Sequence, residues 1–335
     1  MKKLKVIQIG TGHAHAGMAM RSMRRQSEIF EIAGYVEPQG FTPDRNFDGL
    51  KALTLEEAFS MTDLDAAIVE TDEKELTHYA MLAAQNGLAV YMDKPGGDVP
   101  KEFEALMDYV EAHHTVFSMG YMYRYSPAVK ELMRMVKAGE LGEITHVEAQ
   151  MNCVHDRRLR EWLGRYSGGM MFFLGCHLVD LILRLQGEPL EVIPMNHASN
   201  FEDVHTPDCG FAVFIYPNGI SFAKASSVEI GGFLRRQLVV SGTKGTAEIN
   251  PIEYYAGEDI SCLKAKMRVT TLDDYKQRGW AARGEERIFG PFDRYNEMLA
   301  DFARAVRGEA NQVVSAAEEK RVYRTVMKAC GGKLK

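Results

Sequence analysis

The first 120 residues constrain the fold most, because short apolar runs alternate there with helical patterns. Runs at 4–9 (LKVIQI), 31–36 (EIAGYV), 64–70 (LDAAIVE), 88–92 (LAVYM) and 116–119 (VFSM) read as strands. Thr54 and Glu57 spell a T-x-x-E capping box ahead of "AFSM". Residues 74–86 read as a helix with Leu76, Tyr79, Ala80 and Ala83 on one face and Gly87 as its stop. Residues 101–112 repeat the pattern through Phe103, Leu106, Met107 and Val110. Strands alternating with helices imply a parallel sheet with right-handed crossovers. The spacing therefore predicts a doubly wound α/β domain of the Rossmann type over residues 1–121.

From residue 122 the texture changes. Ser126 reads as an N-cap with Pro127 at the first helical position, followed by Val129, Leu132, Met133 and Val136 on one face and Gly139 as the stop. Strand-like runs then follow one another at 144–151, 191–195, 210–216, 219–228, 236–241 and 245–249. "YPNGI" (216–220) is an Asn-Gly hairpin signal, and "SGTKG" (241–245) reads as a second turn. Consecutive strands imply a large, mainly antiparallel open sheet. Helices at 170–186 and 294–307 are expected to cover one of its faces, making 122–335 an α+β domain for substrate binding and oligomerisation. Residues 256–290, rich in glycine and charge, give no clear reading.

Bulk properties exclude some classes. The net charge is −6 with no basic stripe, which argues against a nucleic-acid partner. Five scattered cysteines without a C-x-x-C pair argue for reduced thiols and a cytoplasmic setting. The apolar run in "MKKLKVIQIG" is short for a signal sequence, and no stretch of about 18 apolar residues predicts a membrane span.

Chemistry concentrates at a few places. "IGTGHAHAG" (9–17) follows the first strand and opens a helix, so Gly10, Thr11, Gly12 and His13 are expected to lie under a dinucleotide pyrophosphate. His13 and His15 spell H-x-H, but residues two apart on a helix start diverge, so no metal is expected and His15 is counted with the cofactor contacts. Glu37 ends the second strand and is followed by Pro38, Gln39 and Gly40 rather than arginine. A carboxylate there accepts ribose hydroxyls and repels a 2′-phosphate, which favours NAD over NADP. Thr71 and Asp93, at later strand ends, complete the expected cofactor set with Lys94. In "MDKPGG" (92–97) Lys94 sits where ligands bind in such sheets, placed to polarise a substrate oxygen or take part in proton transfer. His177 lies in the otherwise apolar helix "SGGMMFFLGCHLVDLILRLQG" (167–187).

Taken together, "IGTGHAHA", "LDAAIVETDEKELTHYAMLAAQNGLAVYMDKP", "GYMYRYSPAVKELMRMVKAGELGEI", "GGMMFFLGCHLVDL", "VVSGTKGTAEI" and "YNEMLADFARAVRGE" resemble, in content and order, the glucose–fructose oxidoreductase/inositol dehydrogenase (Gfo/Idh/MocA) family. The resemblance implies a catalytic role for Lys94, a cis Lys94–Pro95 peptide, and substrate or proton-transfer contact by His177. It also implies a sheet that packs against another subunit, hence a homo-oligomer, dimer or tetramer. Many members carry D-x-x-x-H, whereas this chain has Phe173 four residues before His177; Asp180 is expected to cap or brace the helix. Phe173 is then expected against sugar or nicotinamide, with Tyr123, Arg124, His155, Asp156 and Trp162 as further contacts for a polyhydroxylated substrate. The expected activity is hydride transfer between NAD and a secondary alcohol or ketone of a sugar or polyol, with Lys94 and His177 meeting at the domain junction. Two alternatives stand beside it: an NAD-using glycosidase or lyase acting through transient oxidation, and a non-catalytic NAD-binding protein.

Overall fold

The computed structural model describes residues 2–257, 262–310 and 314–332. Its chain forms two compact units, Met1–Met122 with Tyr295–Tyr323, and Tyr123–Arg294 with Arg324–Lys335.

The first unit runs β1 (Leu4–Ile9), α1 (Ala16–Arg25), β2 (Phe30–Val36), β3 (Ala52–Leu53), α2 (Leu55–Phe59), β4 (Ala66–Val69), α3 (Leu76–Gln85), β5 (Ala89–Met92), α4 (Pro100–His113) and β6 (Phe117–Met119). All pairings are parallel, in the order β3-β2-β1-β4-β5-β6. Every residue of β4 and β5 is buried, because helices cover both faces, and that is why these strands read as unbroken apolar runs. The capping box forms: Thr54 Oγ1 accepts from the Glu57 amide and Glu57 Oε2 accepts from the Thr54 amide.

The second unit begins with α5 (Pro127–Lys137), β7 (Ile144–Asn152), α6 (Arg157–Leu163) and α7 (Cys176–Gln186). Met171–Gly175 form one fully buried π-helical turn leading into α7. The strands β8 (Glu191–Pro194), β9 (Cys209–Tyr216), β10 (Gly219–Ser226), β11 (Gln237–Gly242), β12 (Gly245–Ile249), β13 (Tyr254–Tyr255) and β14 (Leu263–Thr271) follow, then α8 (Leu272–Arg278) and β15 (Glu285–Phe292). They build a nine-stranded sheet, β13-β14-β12-β11-β7-β10-β9-β8, with β15 also on β14. It is mixed, since β7 and β10 pair in parallel, but otherwise antiparallel, with hairpins at both expected turns. Two strands, β14 and most of β15, come from the stretch that gave no clear reading, of which residues 258–261 lie outside the described residues.

The helix near 294–307, expected with the second sheet, corresponds to α9 (Asn296–Val306). It belongs to the first unit, followed there by most of α10 (Ala316–Ala329). Ser22 Oγ donates to Asn296 Oδ1 at 2.7 Å, and Met298, Leu299, Phe302 and Ala303 are buried. Tyr323 stacks on Phe103 of α4 with centroids 4.2 Å apart. An apolar helix stripe specifies that a face is buried, not which surface buries it.

Candidate active site

The glycine turn joins β1 to α1 at the carboxyl edge of the first sheet. Gly10 has φ +93, and a Cβ there would stand 2.5 Å from the Thr71 amide nitrogen. Only glycine lets the turn lie this close to the end of β4. The Thr11 amide and hydroxyl both donate to Glu37 Oε2, at 2.7 and 2.6 Å, and the Gln39 amide donates to Glu37 Oε1 at 2.8 Å. Glu37 thus ties the turn to the end of β2. The His13 amide donates to the Glu70 carbonyl, leaving the amides of Gly12 and Ala14 without hydrogen-bond partners among the described residues. The Phe41 ring lies against Gly12. Thr71 is buried and its hydroxyl has no hydrogen-bond partner.

Beneath this turn lies a buried polar cluster. Helix α1 starts only at Ala16, so His13 and His15 occupy the turn before it, where residues two apart can converge. The expectation that they diverge is therefore overturned: the rings meet edge-on with centroids 4.9 Å apart. His15 Nδ1 is 3.0 Å, and His13 Nδ1 3.6 Å, from Asp93 Oδ2. Glu70 Oε2 lies 3.2 Å from His13 Nδ1, and Glu73 Oε1 3.5 Å from His13 Nε2. Burial pushes His13 down to about 3. Burial pushes Glu73 up to about 7 and, with Asp93 beside it, holds Glu70 well above the carboxylate range. Asp93 stays ionised against its own burial, held by the rings of His13 and His15 and by Lys94. Lys94 itself is fully buried; its amide donates to Asp93 Oδ1 at 2.6 Å, and the Lys94–Pro95 peptide is cis.

In the second unit His177 is buried on α7, edge-on to the Tyr123 ring at 5.4 Å. The Tyr123 hydroxyl donates to Glu253 Oε1 at 2.6 Å, and Glu253 also binds Arg236 at 3.0 Å and Arg294 at 2.6 Å. Burial and the Glu253 charge push the phenol well up. The Arg124 guanidinium is engaged by Asp180 through Nε at 3.0 Å and Nη2 at 2.7 Å, with Arg184 on the same carboxylate at 3.1 Å, so Asp180 braces α7. Asp156 caps α6, accepting from the Leu159 amide at 2.8 Å. Phe173, in the π turn, meets Trp162 at 5.6 Å and His155 at 6.0 Å. His155 Nε2 faces the Cys153 thiol at 3.2 Å.

Sequence reasoning missed Glu70, Glu73, Phe41 and Glu253. Glu70 was findable, since it ends the apolar run "AAIVE" at the same sheet edge that singled out Lys94.

A parallel sheet of this order, with a glycine turn after its first strand, is of the Rossmann type, here on one chain with an α+β unit. Residues 129–248 match the model of the GFO/IDH/MocA C-terminal domain. The chain is 26% identical over 200 residues to bovine (Bos taurus) trans-1,2-dihydrobenzene-1,2-diol dehydrogenase, covering 58% of this chain and 57% of that one. It is 24% identical over 327 residues to D-xylose 1-dehydrogenase (NADP(+)) 2 of Haloferax volcanii, covering 94% and 88%. A solved UDP-N-acetylglucosamine 3-dehydrogenase from Acidithiobacillus ferrooxidans superposes with a TM-score of 0.79 at 18% identity, over 99% of this chain and 98% of that one. The match to the GFO/IDH/MocA C-terminal domain thus spans about a third of the chain, and the solved oxidoreductase shares the fold of the whole.

Proposed function

We propose that the protein is an NAD-dependent oxidoreductase acting on a secondary alcohol or ketone of a sugar, polyol or sugar derivative. The observation that carries this reading is the glycine turn, held against β4 at Gly10 and tied to Glu37, with Lys94 following β5 at the same sheet edge. The residues present suit a dinucleotide. Two unpartnered amides, Gly12 and Ala14, precede α1, where a pyrophosphate is favoured. The orphaned Thr71 hydroxyl adds a donor. Glu37 uses three of its roughly four acceptor positions on Thr11 and Gln39, leaving one for a ribose hydroxyl while its charge opposes a 2′-phosphate. When bound, the nicotinamide takes up or returns the hydride of the reacting carbon.

The chain's own residues handle the proton and the polarity. Lys94 supplies the positive group for the substrate oxygen. His177 takes the hydroxyl proton in oxidation and returns it in reduction. These roles rest on the resemblance of "MDKPGG" and "GGMMFFLGCHLVDL" to the family. Tyr123 is left out of proton transfer, because its hydroxyl is committed to Glu253. Phe173, Trp162 and His155 offer ring faces suited to the apolar face of a sugar. The names of the three relatives above, a diol, a pentose and a nucleotide-sugar dehydrogenase, support a polyhydroxylated substrate. Among the described residues no helix is long and apolar enough to cross a membrane. The reading assigns the enzyme to the cytoplasm as a homo-oligomer.

The test is reduction of NAD across a broad sugar and polyol panel. On the substrate found, Lys94→Ala and His177→Ala should each lower turnover by roughly two to four orders of magnitude. Near-normal turnover in either variant removes that residue from the mechanism.

A further inference from the structure

We propose that His13, His15, Asp93 and Glu70 form a binding site for a divalent transition-metal ion, zinc in the first instance, at the carboxyl edge of the first sheet. Donor atoms of His13, His15 and Asp93 all lie within 4.8 Å of one another, and all three residues are buried. In a tetrahedral zinc site with bonds of about 2.0–2.2 Å, neighbouring donors stand roughly 3.3–3.6 Å apart. Here His15 Nδ1–Asp93 Oδ2 is 3.0 Å, His13 Nδ1–Glu70 Oε2 is 3.2 Å and His13 Nδ1–Asp93 Oδ2 is 3.6 Å. These three spacings bracket the ideal edge; Glu70 stands outside the mutually close trio of His13, His15 and Asp93, and turns in from the His13 side to complete the shell.

Glu70 is the observation that points to a ligand. Its side chain is fully buried beside His13, 3.2 Å away, and Asp93, and neither carboxylate oxygen makes a well-formed hydrogen bond among the described residues. A buried carboxyl group so poorly satisfied at the end of an otherwise apolar strand is costly. The charges agree. Glu70, Glu73 and Asp93 are buried together with Lys94 and two imidazoles, a carboxylate-rich surrounding that favours a cation. Two imidazoles with carboxylates suit zinc and its d-block neighbours better than magnesium or calcium.

The surroundings fit too. Ligation through His13 Nδ1 replaces the contact from the His15 amide, now 3.2 Å away. His13 Nε2–H then faces Glu73 Oε1 at 3.5 Å, the arrangement by which metal-bound imidazoles are commonly oriented. The ion would use ring and carboxylate atoms, while the amides of Gly12 and Ala14 stay available to a pyrophosphate. It would also fix Asp93, the residue before Lys94.

The experiment needs neither cofactor nor substrate, so its outcome is separate from the proposed reaction. Protein stripped with EDTA is loaded with Zn²⁺ or Co²⁺, desalted and assayed by mass spectrometry for metal per chain, with Co²⁺ followed by its visible spectrum. The expected result is one ion per chain and a tetrahedral Co²⁺ spectrum without a thiolate charge-transfer band. Glu70→Gln and His15→Ala should weaken zinc binding at least tenfold, circular dichroism checking that each remains folded. No retained metal, a thiolate band, or unchanged affinity in both folded variants would overturn the site. The wild-type measurements decide the matter by themselves if a variant fails to fold.

Discussion

Glu253 gives the sharpest mechanical test of the second unit. Its carboxylate is fully buried and receives the Tyr123 hydroxyl at 2.6 Å, Arg236 at 3.0 Å and Arg294 at 2.6 and 2.7 Å. Arg236 and Arg294 are themselves mostly covered, with side chains 10% and 17% exposed. Glu253→Gln keeps the shape and deletes the charge, leaving two largely buried guanidinium groups facing an amide. Breaking a buried ion pair from one side costs about 3–5 kcal/mol, because the remaining charge is uncompensated. At about 2–4 °C per kcal/mol for a unit of this size, Tm should fall by roughly 6–20 °C. Thermal unfolding by circular dichroism at neutral pH and moderate salt measures it. Tyr123→Phe, which removes one hydrogen bond to a charged group, should cost only about 1.5–3 kcal/mol. A Glu253→Gln variant within 2 °C of wild type would refute the claim that this carboxylate neutralises the two arginines.

Glu73 makes stability depend on pH in the metal-stripped protein. Its folded value of about 7 lies above the ordinary 4.5, so the folded state binds the extra proton between these values, and stability is full below about 4.5 and declines as pH rises through 7. The loss is about 3 kcal/mol, and denaturant midpoints from pH 4.5 to 8 should fall less steeply in Glu73→Gln; equal slopes would contradict it. The second sheet's open face should make a homo-oligomer. Register aligns Ile193, Val213, Phe222 and Val239 in a row interrupted only by Glu148, and Ile220 beside it is 59% exposed. Light scattering should give a multiple of the 37.6 kDa chain, and Val213→Glu should shift it toward that mass; a wild-type monomer would contradict the interface.

Much of the fold was legible because its signals are local. Period and punctuation gave the five longer strands of the first sheet, the Thr54–Glu57 cap and the Asn-Gly hairpin, each decided within a few residues. What stayed hidden depends on partners distant in sequence. The stripe of α9 shows an apolar face but not that it packs in the first unit. Strand β14 alternates with Lys264, Lys266 and Arg268, and β15 is exposed along most of its length, so neither carries a strong apolar signal. At the site, Gly10, Glu37 and Lys94 were readable from their places at strand ends. The convergence of His13 and His15 on Asp93 was not, because it turns on where α1 begins, and element boundaries are the least local feature of a helix. The partners that engage Arg124 and Tyr123, namely Asp180 and Glu253, lie 56 and 130 residues away in sequence, beyond any spacing argument.

Cofactor binding can be measured with no knowledge of the substrate. Isothermal titration of the purified protein with NAD and with NADP should show saturable binding of NAD to one site per chain and weaker binding of NADP. Gly10→Val, which forces a side chain into the Thr71 backbone, should abolish both. Tighter binding of NADP would contradict the role given to Glu37, and binding of neither dinucleotide would contradict the oxidoreductase reading itself.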